Sequence, residues 1–93
     1  MTRTIYDAAA DKMEKLLIEN NIKYDRLQLF EGWQFYIYNT SGNISGDIIC
    51  HGGSYGGDDG LWESMGFIWD EGDVTGRLTA QEVIDRLKEN YGM

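Results

Sequence analysis

The feature that most constrains this chain is a change of hydrophobic period. Near the N-terminus Ile5, Ala9, Met13, Leu16 and Leu17 recur at helical spacing, with Asp11, Lys12, Glu14 and Lys15 on the opposite side. From residue 23 to 51 the period is two, in runs rich in aromatic and β-branched residues. The two patterns cannot share one element. They predict a helix over 4–20, then strands over 23–30, 33–39 and 44–51. Glu31-Gly32 reads as a tight turn and Asn39-Thr40-Ser41-Gly42-Asn43 as a loop.

Local chemistry marks both helix starts. Thr4 can cap the first turn with Asp7 answering three residues later, and Thr79-Ala80-Gln81-Glu82 is a capping box. Val83, Ile84, Leu87 and Tyr91 then share one face of a C-terminal helix. The expected fold class is therefore α+β: an N-terminal helix, a three-stranded antiparallel sheet, an irregular glycine-rich segment and a C-terminal helix. The 93 residues suffice for a single domain, 1–93, with one modest core.

If the loops close as hairpins, one sheet face carries Phe30, Trp33, Phe35, Ile37 and Ile49. The other carries Leu27, Leu29, Tyr36, Tyr38, Ile44 and Ile48. A one-residue slip would exchange the third strand between faces. Both faces are apolar, so both need a cover. The terminal helices can supply one. The other must meet the segment 61–69, a second subunit in a homodimer, or a partner. That segment (Leu61, Trp62, Met65, Phe67, Ile68, Trp69) fits a short helix or a strand.

Charge narrows the function classes. The net charge is -8, and every basic residue lies at or before Arg26 or at or after Arg77. Between them Glu31, Asp47, Asp58, Asp59, Glu63, Asp70, Glu71 and Asp73 have no basic counterpart. Such a segment repels phosphate backbones, which argues against direct nucleic-acid binding, and it would attract a basic groove on another protein. Acidic loops that only keep a small protein soluble are the plain alternative. A lone cysteine, Cys50, fits a reducing cytosol. No signal peptide is read at Met1-Thr2-Arg3-Thr4, and no apolar run approaches the ~20 residues of a membrane span.

Three motifs invite a chemical reading. Cys50-His51 pairs a thiol with an imidazole, but neighbours on a strand point to opposite faces, and no third group is identifiable. Gly52 to Gly60 is rich in glycine and follows a strand, yet it carries Asp58 and Asp59 and no lysine, which opposes a phosphate. Residues 71–82 resemble an EF-hand calcium loop over its second half, with Gly76, Leu78 and Glu82 at the turn, apolar and closing positions. Glu71 replaces the usual first aspartate there, Asp73 fits the third position, and Thr75 is a poor fifth ligand. No catalytic residue, metal or cofactor is assigned.

The run from Gly46 to Gly57, with Gly60-Leu61-Trp62-Glu63 and Asp73 to Val83, resembles small uncharacterised proteins of phages and prophages of Gram-positive bacteria. The resemblance covers about the second half of the chain. It implies an accessory protein of a mobile element, in a setting where small acidic proteins resemble anti-defence inhibitors, anti-CRISPR proteins among them. The expectation is a non-enzymatic, stoichiometric inhibitor in the bacterial host cytoplasm. It would press Asp47, Asp58, Asp59, Glu63, Asp70, Glu71 and Asp73, with Tyr55 and Trp62 as anchors, into the basic nucleic-acid groove of a host nuclease, such as a CRISPR effector. A small-molecule binder such as a nucleotide-signal sponge, a calcium-binding domain and a phage structural or assembly protein are the rivals.

Overall fold

The computed structural model describes residues 4–54, 56–65 and 75–91. Helix α1 spans Ile5–Glu19 and helix α2 Ala80–Tyr91. Between them lie strands β1 (Tyr24–Leu29), β2 (Gly32–Tyr38), β3 (Ile44–Cys50), β4 (Trp62–Met65) and β5 (Thr75–Leu78). The α+β class holds, but the sheet has five antiparallel strands in sequential order, not three. Part of the ambiguous 61–69 segment is thus β4, paired with β3; residues 66–69 lie outside the described residues.

Both helices begin on complete capping boxes. Thr4 Oγ1 accepts the Asp7 N–H at 3.1 Å and Asp7 returns an oxygen to the Thr4 N–H at 3.1 Å. Thr79 and Glu82 repeat the exchange at 3.1 and 3.0 Å. Helix α1 stops in a Schellman turn. Asn21 takes a left-handed φ of 56°, while Ile22 N–H reaches back to Leu17 O at 2.9 Å and Asn21 N–H to Ile18 O. Ile22 and Leu17 are both buried, which supplies the apolar contact that closes such a turn.

Register decides what is inside. Strand β3 pairs with β2 as Trp33↔Cys50, Phe35↔Ile48 and Ile37↔Gly46, then shifts so that Tyr38 faces Ile44. Ser45 is the extra residue of a β-bulge. Without it Phe35 would face Asp47. The bulge therefore corrects the expected faces: Ile48 and Cys50 join Phe35 and Ile37 in the core, and Ile49 turns outward. Trp62 and Leu78 extend the same core face, and Ala9, Ala10, Met13 and Leu17 of α1 with Val83, Ile84 and Leu87 of α2 cover it. Phe30 is the second correction. The tight turn is Phe30-Glu31, one residue earlier than expected, so Phe30 leaves the sheet face altogether. The opposite sheet face carries Asp25, Leu27, Leu29, Gln34, Tyr36, Asp47 and Ile49, with Leu27 exposed.

One charged residue lies on the helix side of the sheet. Arg26 places its guanidinium 4.2 Å from the Trp33 ring centre and donates Nη1–H to Asp11 at 3.1 Å and Glu14 at 3.2 Å. Its aliphatic stem covers aromatic surface while both carboxylates satisfy its charge. Arg26→Ala should cost about 1–3 kcal/mol by urea denaturation, more than an exposed ion pair. Trp62→Ala, at a site 1% exposed, should cost about 3–5 kcal/mol. Losses below about 0.5 kcal/mol for either would contradict this packing.

Candidate functional site

At one end of the sheet three pieces of chain meet: the Phe30-Glu31 turn, the first turn of α1, and the loop 51–60. Phe30 holds a left-handed φ of 54° and is 76% exposed. Its ring meets that of His51 edge-to-face, centroids 5.5 Å apart. Glu31 beside it accepts the Gly52 N–H. Its own N–H and that of Gly52 hold its carboxyl below the usual carboxylate range, so it stays charged. Tyr6 of α1 donates its hydroxyl to Asp58 at 2.9 Å, a bond that, with burial, raises the tyrosine pKa. Asp58 and Glu31 are close enough to repel each other. Ile5, exposed, completes the edge.

The loop itself is held by its own backbone. His51 N–H donates to Ser54 Oγ at 3.0 Å and Ser54 Oγ–H returns to His51 O at 2.9 Å. Residues 57–59 form one 3-10 turn. Gly56 has φ 85° and lies against β5, where an added Cβ would come within 2.9 Å of Arg77 Cα. This close approach brings Arg77 to Asp59, at 3.5 Å. The separation of acids from bases along the chain is thus partly undone by folding.

Those of the expected contact residues that are described do not form one patch. Asp58 and Asp59 are exposed at this end. Asp47 lies on the outer sheet face, half-buried, and accepts a hydrogen bond from Gln34 at 2.7 Å. Glu63 is on β4 and only 8% exposed. Trp62 stacks edge-on against Phe35 in the core, which corrects its expected role as a surface anchor. Tyr55, Asp70, Glu71 and Asp73 lie outside the described residues. Phe30 and Glu31 are additions. Sequence reading placed Phe30 on a buried face, and only the true turn position reveals it.

A second pattern explains many of the acids. Trp33 Nε1–H donates to Asp7 at 2.8 Å, Tyr24 to Glu14 at 2.7 Å, Tyr6 to Asp58, and Tyr38 to Asp25. Each of these four half-buried aromatic donors ends on a carboxylate, the partner its polar end requires. Part of the acidic excess therefore serves the fold.

The chemical motifs resolve as follows. Cys50 is buried and its Sγ–H points to Gly57 O at 3.8 Å. Burial pushes the thiol up to about 11, the opposite of an activated nucleophile. His51 turns the other way, its Nδ1 accepting the Gly53 N–H at 2.9 Å. In the calcium-like stretch, Thr75–Leu78 is strand β5 and the Glu82 carboxylate serves the α2 cap. Among the described residues no cluster of three or more acidic, histidine or cysteine side chains could hold a metal. No described helix is long and apolar enough to cross a membrane. Comparison with family models, curated proteins and solved structures found no match.

The Cys50 thiol makes a pH prediction. Its folded value, about 11, exceeds its ordinary value of 9.0, so the folded chain holds this proton more tightly. The contribution is complete below pH 9 and is lost as pH rises toward 11. The stability advantage of wild type over Cys50→Ala, by urea denaturation, should shrink across that window. A pH-independent difference would contradict a buried, protonated thiol.

Proposed function

We propose that the chain is a stoichiometric binding protein that presents its Phe30 end to a basic, nucleic-acid-binding groove on another protein. The target class is a host defence nuclease of the CRISPR effector type, met in the cytoplasm of a bacterial cell, where a phage-encoded inhibitor would act. The observation that carries this reading is Phe30: a large aromatic, 76% exposed, at a positive φ, next in the chain to Glu31, whose carboxylate feels the charge of Asp58. A left-handed phenylalanine costs about 1–2 kcal/mol, and this one buries little in return. A contact outside the chain supplies the missing benefit. The face of an aromatic ring beside carboxylates receives a guanidinium well, by cation–π attraction and charge-assisted hydrogen bonds. Nucleases that grip phosphates or read bases with arginines present that group.

Phe30→Gly separates binding from folding. Glycine adopts the turn without strain, so the melting temperature should stay level or rise, while inhibition should weaken about tenfold or more through loss of a central aromatic anchor. Asp58→Lys with Asp59→Lys should weaken it as well, with little change in melting, and Glu19→Lys on the far end of α1 should do neither. The assay is cleavage by purified RNA-guided nucleases at increasing inhibitor, with lysate capture in parallel. Captured protein should be released by duplex DNA and by salt, because both compete for a basic groove. Capture of nothing that duplex DNA releases, or inhibition by Phe30→Gly equal to wild type, would refute the proposal.

A further inference from the structure

The opposite end of the sheet carries an open recess of about 400 Å³ between the α1–β1 turn and the β2–β3 loop. Asn21, Lys23, Tyr38, Asn39, Thr40 and Ser41 form most of its wall. We propose that this recess binds a small hydroxylated phosphomonoester, a sugar phosphate or a nucleoside monophosphate. The phosphate would sit on Lys23 and the ligand hydroxyls on the side chains of Asn39, Thr40 and Ser41. The site lies at the far end from Phe30 and does not depend on the binding role proposed there.

Charge is the first argument. The chain carries 16 acidic and 8 basic residues, yet among the described residues no carboxylate lines this recess. Lys23 is exposed and forms no ion pair among the described residues, while Arg26 and Arg77 are both engaged by acids. Asp25 borders an adjoining hollow that shares Lys23 and Tyr38 with the recess, and its Oδ2 receives the Tyr38 hydroxyl. That bond spends an acceptor and fixes the tyrosine ring as a wall.

Pre-organisation is the second. Asn39 Oδ1 accepts the N–H groups of Ser41 and Asn43, each at 3.0 Å, and Asn39 N–H donates to Asn43 O at 2.8 Å. Its carbonyl oxygen is thus committed, and its amide N–H groups remain as donors. On the other side the Schellman turn holds Asn21. Hydrogen bonds hold the backbone on both sides before a ligand arrives, which lowers the ordering cost of binding. Ammonium, amide and hydroxyl groups beside one aromatic ring match an anionic, oxygen-rich ligand, with few carboxylates to compete for them.

The test is an amide-resolved NMR titration of the full chain with glucose phosphate, adenosine monophosphate, inorganic phosphate and glucose. At least one ester should shift residues 21–23 and 38–42, with a dissociation constant of about 0.1–1 mM, as expected for one ion pair and a few hydrogen bonds. Phosphate alone and glucose alone should each bind about fivefold more weakly or worse. Lys23→Gln should weaken the ester by about fivefold, and Lys15→Gln on α1 should leave it unchanged. Thr40→Ala with Ser41→Ala should weaken the ester and spare inorganic phosphate. No shift by about 10 mM ester, shifts placed elsewhere, phosphate binding as tightly as either ester, or Lys23→Gln binding like wild type would each overturn the proposal.

Discussion

The bulge at Ser45 is the constraint on which the rest of this structure depends. It inserts one residue between the Tyr38↔Ile44 and Ile37↔Gly46 pairs. Because side chains alternate along a strand, that residue reverses the facing of everything after it. Ile48 and Cys50 enter the core against Phe35 and Trp33, while Asp47 meets Gln34 on the outer face. In the unbulged register Asp47 would sit opposite Phe35, and a carboxylate beside that ring under two helices would cost several kcal/mol. The apolar pattern of β3 and the bulge thus enforce each other.

From β3 the constraint passes outward. Its pairing with β4 sets Ser64 opposite Ile48, which leaves Trp62 on the core side against Phe35. The pairing of Trp62 with Leu78 then carries β5 into the sheet and leads directly into the α2 cap. On the other flank, β2 holds β1 so that Tyr24 and Arg26 lie on the helix side, where Glu14 and Asp11 of α1 receive them. Among the described acids outside this network, Asp25, Asp47 and Glu63 lie on the outer face. Glu31, Asp58 and Asp59 lie at the Phe30 end; at the other end Lys23 stands among amides and hydroxyls.

What could be read from the sequence was what local chemistry determines. The two helices were legible because their starts are capping boxes of adjacent residues and their apolar spacing is internal. The first three strands were legible from alternation. Strands β4 and β5 were not: each has four residues, β5 contains Gly76 and a left-handed Arg77, and both exist only through pairing with neighbours. The bulge was invisible because Ser45 differs in no obvious way from an ordinary strand residue. The turn was misplaced by one residue because Glu31-Gly32 is the more favourable turn pair, whereas Gly32 is needed inside β2, where a side chain would strike the chain at Cys50 and His51. That single residue concealed Phe30. The acidic segment was visible as composition, but whether Asp47, Asp58 and Asp59 share a surface depended on the fold, and they do not.

The most direct measurement is the backbone NOE pattern between β2 and β3. The bulged register predicts contacts linking Phe35 to Ile48 and Trp33 to Cys50. Contacts linking Phe35 to Asp47 and Trp33 to Ile49 would mean that the bulge is absent, and with it the division between core and acidic surface on which this account rests.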